Sequence, residues 1–288
     1  MSARRVIPQH VGVLRNIGIL HPGEMGSAVA ATVRNSGHEV WWVSEGRSHL
    51  TRARAESAGL TDAGSLVHLC ESCPVILSVC PPEFAAETAA QVVLHNFRGT
   101  YLDANALSPA HKQQIAARMQ GKGIRFVDGG IIGLPPKARG QTWMYLSGEH
   151  AESIAGFFEA GPLEVEVVGS EVGKASALKM CYAGLNKGSI ALLIAVMGAA
   201  DRLGVLEDLK RQWTRLSPAL ASEGHILRAA PKAWRWTPEM QEIAATFDAV
   251  GMPPEFHQAA AKIYDMLREF KSADPASIEE VLKKLRSA

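Results

Sequence analysis

A short apolar run over residues 16–20 (NIGIL) breaks into His21, Pro22 and Gly23, then passes at once into an alanine-rich stretch with apolar residues at helical spacing over residues 25–36. Strand, tight loop and helix in that order form the first half of a parallel-strand unit, because parallel neighbours need a crossover that carries the chain back to the same end of the sheet. Asn35, Ser36 and Gly37 supply the helix stop. Further β-rich runs occupy residues 39–43, 75–80, 100–105, 125–132 and 142–147, with helical patterns between the earlier ones, including residues 52–58 closed by Gly59. These strands are apolar almost throughout, which predicts a parallel sheet covered by helices on both faces.

Beyond Gly169 the pattern changes. Residues 174–203 are nearly continuous helical sequence, and the remainder reads as helices broken at Pro218, Pro231, Pro238 and the turn over residues 251–254. Two domains are therefore predicted, residues 1–169 and an all-helical unit over residues 170–288. Small residues along the long helix (Ala177, Ala183, Gly184, Gly188, Ala191, Ala195) permit close helix approach and predict a homodimer. Hydrophobic residues make up 47%, enough for a sizeable core, and 30 basic against 29 acidic residues leave no broad positive face for nucleic acid or an anionic membrane. A small-molecule partner is expected. The longest apolar stretch, residues 189–200, is short for a membrane span, and Arg4 and Arg5 precede no apolar signal core, so a cytoplasmic protein is expected. Cys70 and Cys73 form a CxxC beside His68 without further ligand motifs, so they read as structural thiols and no metal is expected.

Gly23, Glu24, Met25 and Gly26 lie where the first strand meets the first helix, the position from which backbone N–H groups and the helix dipole hold a pyrophosphate. The run HPGEMG, His21 to Gly26, resembles the GLGxMG turn of the β-hydroxyacid and 6-phosphogluconate dehydrogenases, with His21 in place of the first glycine. The resemblance extends over about residues 16–265, and the overall pattern resembles a divergent branch with a DUF1932-type C-terminal domain. It implies an α/β fold: a Rossmann-like, doubly wound N-terminal domain followed by an all-α, 6-phosphogluconate dehydrogenase-like C-terminal domain. At the end of the second strand stands Ser44, where an acidic residue would hold a ribose 2′-hydroxyl; Arg47 and Ser48 follow and suit a 2′-phosphate. The expected cofactor is NADP, with NAD as the alternative.

The segment GSEVGKASALKMCY, residues 169–182, is similar to the family's catalytic GxxGxGxxxKxxxN, which puts Lys179 in the lysine place. Chemistry supplies a separate reason for a lysine there. Negative charge grows on a carbonyl oxygen as hydride reaches its carbon, and a positioned ammonium donates the proton; in reverse, the amine accepts it. By the same resemblance Cys80 and Pro81 belong to a loop beside the nicotinamide ribose, and Asn105 faces the nicotinamide carboxamide or substrate. Asp103, Asp128 and His38 read as structural supports.

Several positions depart from the family. The asparagine one turn after the lysine is replaced by Tyr182 and Ala183, with Asn186 two turns on; the substrate-carboxylate serine is replaced by Ile132 within DGGIIGL; and Gln241 and Glu242 stand for a Lys-Asp pair. Gly129, Gly130 and Gly133 can still bring backbone amides to a ligand, and Trp234, Arg235 and Trp236 suit an aromatic pocket. Substrate contacts are thus expected at Asn105, Gly130, Ile132 and Tyr182. The expected activity is NADP(H)-dependent hydride transfer to or from a small alcohol or carbonyl compound. An imine reductase on the same scaffold and a non-catalytic NADPH sensor are the alternatives.

Overall fold

The computed structural model describes residues 15–216, 223–272, 274–275 and 277–287. The chain opens with β1 (Asn16–Ile19), α1 (Glu24–Asn35), β2 (Glu39–Trp42), α2 (His49–Ser57) and β3 (Thr61–Asp62), then continues through α3 (Leu66–Ser72), β4 (Val75–Ser78), α4 (Pro82–Leu94), β5 (Thr100–Asp103), α5 (Pro109–Gln120) and β6 (Arg125–Ile132). Two further strands, β7 (Thr142–Ser147) and β8 (Leu163–Gly169), flank the short α6 (Ala151–Ala155). All eight strands form one sheet in the order β3-β2-β1-β4-β5-β6-β7-β8. The order reverses between β1 and β4, so a crevice opens beyond the carboxyl ends of those two strands, the place where such sheets bind ligands.

The sheet is mixed rather than wholly parallel. β1 to β6 run parallel, β7 returns antiparallel to β6, and β8 lies parallel to β7. The cause is the connection over residues 133–141, which contains no crossover helix, so the chain can only fold straight back. Gly133, at φ +128°, makes the reversal. Ile17, Ile19, Val75 and Leu77 pack on one face with Val29 and Val33 of α1, and Ile76, Tyr101 and Phe126 pack on the other with Leu69 and Ile115. Cys70 and Cys73 are free and buried in that second layer, and burial raises their thiols to about 11 and about 12.

From Gly173 the chain enters α7 (Lys174–Arg202), 29 residues or about 43 Å long. Around it gather α8 (Leu206–Leu216), α9 (Gly224–Ala229), α10 (Ala233–Asp248), α11 (Glu255–Asp265) and α12 (Ile278–Ser287), with a third core built on Met180, Ile194, Met240, Ile243 and Tyr264. Length and a mean hydropathy of 1.5 give α7 the dimensions of a membrane span, beyond what residues 189–200 alone indicate. Its inner face belongs to the helical core. Four of the six small residues expected to meet another subunit are turned inward: Ala183, Gly184, Gly188 and Ala191 are buried, Ala177 and Ala195 are half-buried, and a Cβ at Gly184 would lie 3.3 Å from Ile243 Cγ2. They bring α10 and α11 close within one chain. The outer face carries Leu178, Tyr182, Leu185, Leu192, Val196 and Leu203, all exposed.

Other boundaries differ locally. Pro238 lies inside α10 instead of ending it, since the loss of one intrahelical hydrogen bond is outweighed by the buried Met240, Ile243 and Ala244 that follow. Residues 230–232, including Pro231, form a short 3-10 turn between α9 and α10, and Pro218 lies outside the described residues. α2 starts three residues before the predicted residue 52 because Ser48 caps it, its hydroxyl accepting the Thr51 N–H at 3.3 Å.

Candidate active site

The turn after β1 is tight. The Gly23 N–H donates to the His21 carbonyl at 2.8 Å, and the Ser27 hydroxyl donates to the Gly23 carbonyl at 2.6 Å. A Cβ on Gly26 would stand 2.2 Å from the His21 carbonyl oxygen, so glycine is required for α1 to start this close to the turn. A Cβ on Gly23 would meet nothing within 4 Å, which leaves open space at the helix N-terminus where the first-turn N–H groups lack intrahelical partners. Glu24 is exposed and Met25 packs against the sheet core. Burial and then the nearby Arg47 guanidinium lower His21 to about 4, so its ring is neutral. Among the described residues, His21 Nδ1 and Arg47 Nε are buried without a hydrogen-bond partner. Open space, free amides and an uncommitted guanidinium suit the phosphates of a dinucleotide.

The corner after β2 is fixed by its neighbours. The Ser44 N–H donates to Asp62 Oδ1 at 3.2 Å, and its carbonyl accepts from Arg52 at 2.7 Å. Ser44 is buried; Ser48 is exposed and engaged as a cap. After β4, the Cys80 N–H donates to Asn105 Oδ1 at 2.6 Å, while Asn105 Nδ2 donates to Ser78 Oγ at 3.0 Å. Asn105 therefore clamps the loop of Cys80 and Pro81, retaining one amide hydrogen and one lone pair for a ligand. Burial raises the Cys80 thiol to about 11, so it stays protonated.

Lys179 comes to the same rim through β6. Asp128 pairs with Asp103, the last residue of β5, so Gly130 lies beyond that strand's carboxyl end, beside residues 104 and 105. A Cβ at Gly130 would stand 2.9 Å from Lys179 Cβ and 2.8 Å from the Ala175 carbonyl oxygen, so the glycine lets α7 rest on the strand. Ile132 is buried on the same side of the strand as Gly130. Tyr182 is half exposed, and the exposed Asn186 donates to the Tyr182 carbonyl at 3.0 Å.

The start of α7 is tied to the sheet by Asp128. Its Oδ2 accepts from the N–H groups of Gly173 and Ser176, both at 3.0 Å, and its Oδ1 accepts from Ser176 Oγ at 2.5 Å. Lys112 Nζ, wholly buried, lies 2.7 Å from Asp103 Oδ1 and 3.4 Å from Asp128 Oδ1, and donates to the carbonyls of Asp103 and Gly129 at 2.5 and 3.2 Å. A second tie comes from Glu242, which accepts the Ser108 N–H at the head of α5 at 2.7 Å and lies 2.8 Å from His111 Nδ1.

Around Lys179 the structure gathers two groups that sequence reasoning missed. The Lys179 side chain is 15% exposed, and its Nζ lies 3.4 Å from Glu239 Oε1. The other Glu239 oxygen accepts a hydrogen bond from Lys187, which also sits 5.1 Å from the Trp236 ring centre. Burial lowers Lys187 to about 8, partly opposed by Glu239, whereas Lys187 and then Lys179 hold Glu239 at about 2 against its own burial. Lys187 lies two turns beyond Lys179 with buried Ala183 between them, a helical stripe visible in the sequence. Glu239 is 60 residues from Lys179, and no local spacing announces it.

A doubly wound sheet with a glycine turn at its switch point, followed by a long helix that carries a buried lysine to the same rim, defines an NAD(P)-binding protein of the hydroxyacid dehydrogenase-like fold. Residues 16–160 match the profile described as the NAD binding domain of 6-phosphogluconate dehydrogenase, and residues 200–267 match that of a domain of unknown function, DUF1932. The chain belongs to the 6-phosphogluconate dehydrogenase-like superfamily, in the branch with a DUF1932 C-terminal domain. It is 30% identical over 193 residues to an uncharacterised 28.5 kDa protein in the 7S RNA 5′ region of Methanothermus fervidus, covering 67% of this chain and 74% of the relative. Among solved structures it is similar to the conserved protein MTH1747 of unknown function, described as structurally similar to 3-hydroxyacid dehydrogenases (29% identity, TM-score 0.65, 91% of this chain and all of the other). It also shares its fold with the Mycobacterium tuberculosis 3-hydroxyisobutyrate dehydrogenase solved with L-serine (16% identity, TM-score 0.67, 95% of this chain and all of the other).

Proposed function

We propose that this chain is an NADP(H)-dependent oxidoreductase acting on a small alcohol or carbonyl compound, with Lys179 as its acid and base. The observation that carries the reading is the Lys179 amine, largely withdrawn from water on the sheet rim that also bears the Gly23 turn, Asn105 and Gly130. The division of labour follows the two halves: residues 1–169 hold the dinucleotide, and residues 170–288 contribute Lys179. The first-turn amides of Glu24, Met25 and Gly26 hold the pyrophosphate, Arg47 and Ser48 take the 2′-phosphate beside Ser44, and the Cys80–Pro81 loop borders the nicotinamide ribose. The nicotinamide, when bound, supplies or accepts a hydride. In reduction the Lys179 ammonium gives its proton to the substrate oxygen as negative charge develops there; in oxidation the neutral amine takes the hydroxyl proton. Ile132 and Tyr182 give the substrate side an apolar character, which disfavours acids that need a serine hydroxyl for their carboxylate.

Paired titrations with NADPH and NADH test the cofactor assignment, followed by a panel of carbonyl substrates. NADPH is expected to bind more tightly, and Arg47→Ala to weaken NADPH by about tenfold while sparing NADH, the loss of a hydrogen bond to a charged group. Equal or tighter NADH binding by the unaltered protein would remove the NADP assignment.

The outer face of α7 supports pairing with a second copy of the chain. Leu178, Tyr182, Leu185, Leu192, Val196 and Leu203 recur at steps of three, four or seven and form one exposed apolar stripe. Sedimentation should give twice the chain mass, and Leu185→Lys, a charge placed in mid-stripe, should give monomers. A monomeric parent protein at micromolar concentration would refute the pairing.

A further inference from the structure

Lys179 is not alone in its pocket, and its neighbours carry opposite charges. Glu239 of α10 points one oxygen at each of two lysines on α7: Oε2 is hydrogen-bonded to Lys187, and Oε1, 3.4 Å from Lys179 Nζ, is buried with no hydrogen-bond partner among the described residues. The carboxylate is thus hydrogen-bonded on one side and faces the Lys179 ammonium across a longer ion pair on the other. Lys187 is held independently, since the buried Tyr264 hydroxyl donates to its backbone carbonyl at 2.6 Å and the Trp236 ring lies 5.1 Å from its ammonium. The remaining groups facing this cluster are Arg235 on α10, which acts electrostatically on Lys187, and the Tyr264 phenol on α11, which burial and then Glu239 keep protonated. From β6 the neighbour is Gly130, which brings no titrating group.

We infer that Glu239 and Lys187 are positioning residues that together set the proton affinity of Lys179: the carboxylate holds the Lys179 ammonium, and Lys187 tempers the negative charge the carboxylate presents. Neither touches substrate; each acts through the amine. The arrangement suits a group that must both give and take a proton. A lone carboxylate at this distance, with the amine largely withdrawn from water, would bind the ammonium's proton too firmly, and no carboxylate would let it go too readily. This inference rests on the assignment of Lys179 as acid and base, but it has a physical signature that needs no turnover. Removal of either partner must shift the titration of Lys179, and the two shifts must have opposite signs.

The test is competitive acetylation with acetic anhydride over a pH series, read at Lys179 by peptide mass spectrometry, on the unaltered protein, Glu239→Gln, Lys187→Met and the double variant. In Glu239→Gln the Lys179 midpoint should fall by about one pH unit or more, a tenfold loss of proton affinity. Lys187→Met should move it up, because the full carboxylate charge then falls on Lys179. The double variant, in which Lys179 faces neither charge, should lie between Glu239→Gln and the unaltered protein; where Glu239→Gln does not fold, a double-variant midpoint below that of Lys187→Met reads the carboxylate's contribution instead. Midpoints that stay together, or that move in the same direction for Glu239→Gln and Lys187→Met, would overturn the inference. Ordered midpoints in a protein that turns over no carbonyl or imine compound with NADPH would instead end the dehydrogenase reading and leave the electrostatic coupling standing.

Discussion

Lys179→Met is expected to lower NADPH-dependent carbonyl reduction by about a thousandfold, within the range that a positioned general acid contributes, while cofactor binding stays close to that of the parent protein. The substitution isolates the chemistry. Methionine keeps most of the apolar stem that rests on Gly130, and Glu239 retains Lys187 as its counter-ion, so no charge is left buried alone. The glycine turn after β1 is on different elements and should be untouched. Single-turnover oxidation of bound NADPH measures the effect directly, and a variant that keeps a tenth of the parent rate would show that the proton comes from elsewhere. If cyclic imines are reduced at undiminished rate by the same variant, imine reduction replaces carbonyl reduction as the activity.

The second large effect concerns stability. Lys112 is fully buried between two fully buried carboxylates, Asp103 and Asp128, and it also donates to two backbone carbonyls. Lys112→Met fills a similar volume but leaves both carboxylates without their cation, and breaking a buried pair in this way costs about 3–5 kcal/mol. Against a usual total of about 5–15 kcal/mol, that is a large share of what keeps a protein folded. Urea denaturation should show the midpoint falling without a matching change in slope. Lys112→Met combined with Asp103→Asn should recover part of the loss, because the two side chains interact directly. A single variant less than about 1 kcal/mol below the parent would mean that the cluster does not hold its charges in the native state.

Much of the architecture can be read from local pattern. Apart from the two-residue, exposed β3, the order of strands and helices through residue 132 follows from apolar runs alternating with helical periods, and the glycine turn falls at the switch point because strand, turn and helix are contiguous in sequence. The reversal at β7 is less visible: residues 142–147 have the same apolar character as their parallel neighbours, and direction depends on what the connection lacks. Lys179 stands out as a candidate in the sequence because its segment keeps the family's spacing after the sheet. Glu239 does not, since it joins the site only when α10 packs on α7, a contact between distant stretches. The small residues of α7 show the same limit. Their pattern announced close helix packing correctly, but spacing cannot distinguish a neighbour in the same chain from one in another.

Glu242 has a consequence for how a ligand meets this cleft. Its carboxylate joins α10 to the head of α5 through Ser108 and His111, while Asp128 joins the head of α7 to β6. The sheet and the helical bundle are riveted at two separate points, so a hinge motion would have to break both. Ties of this kind pre-arrange the walls, and pre-arrangement lowers the share of binding free energy that ordering them would consume.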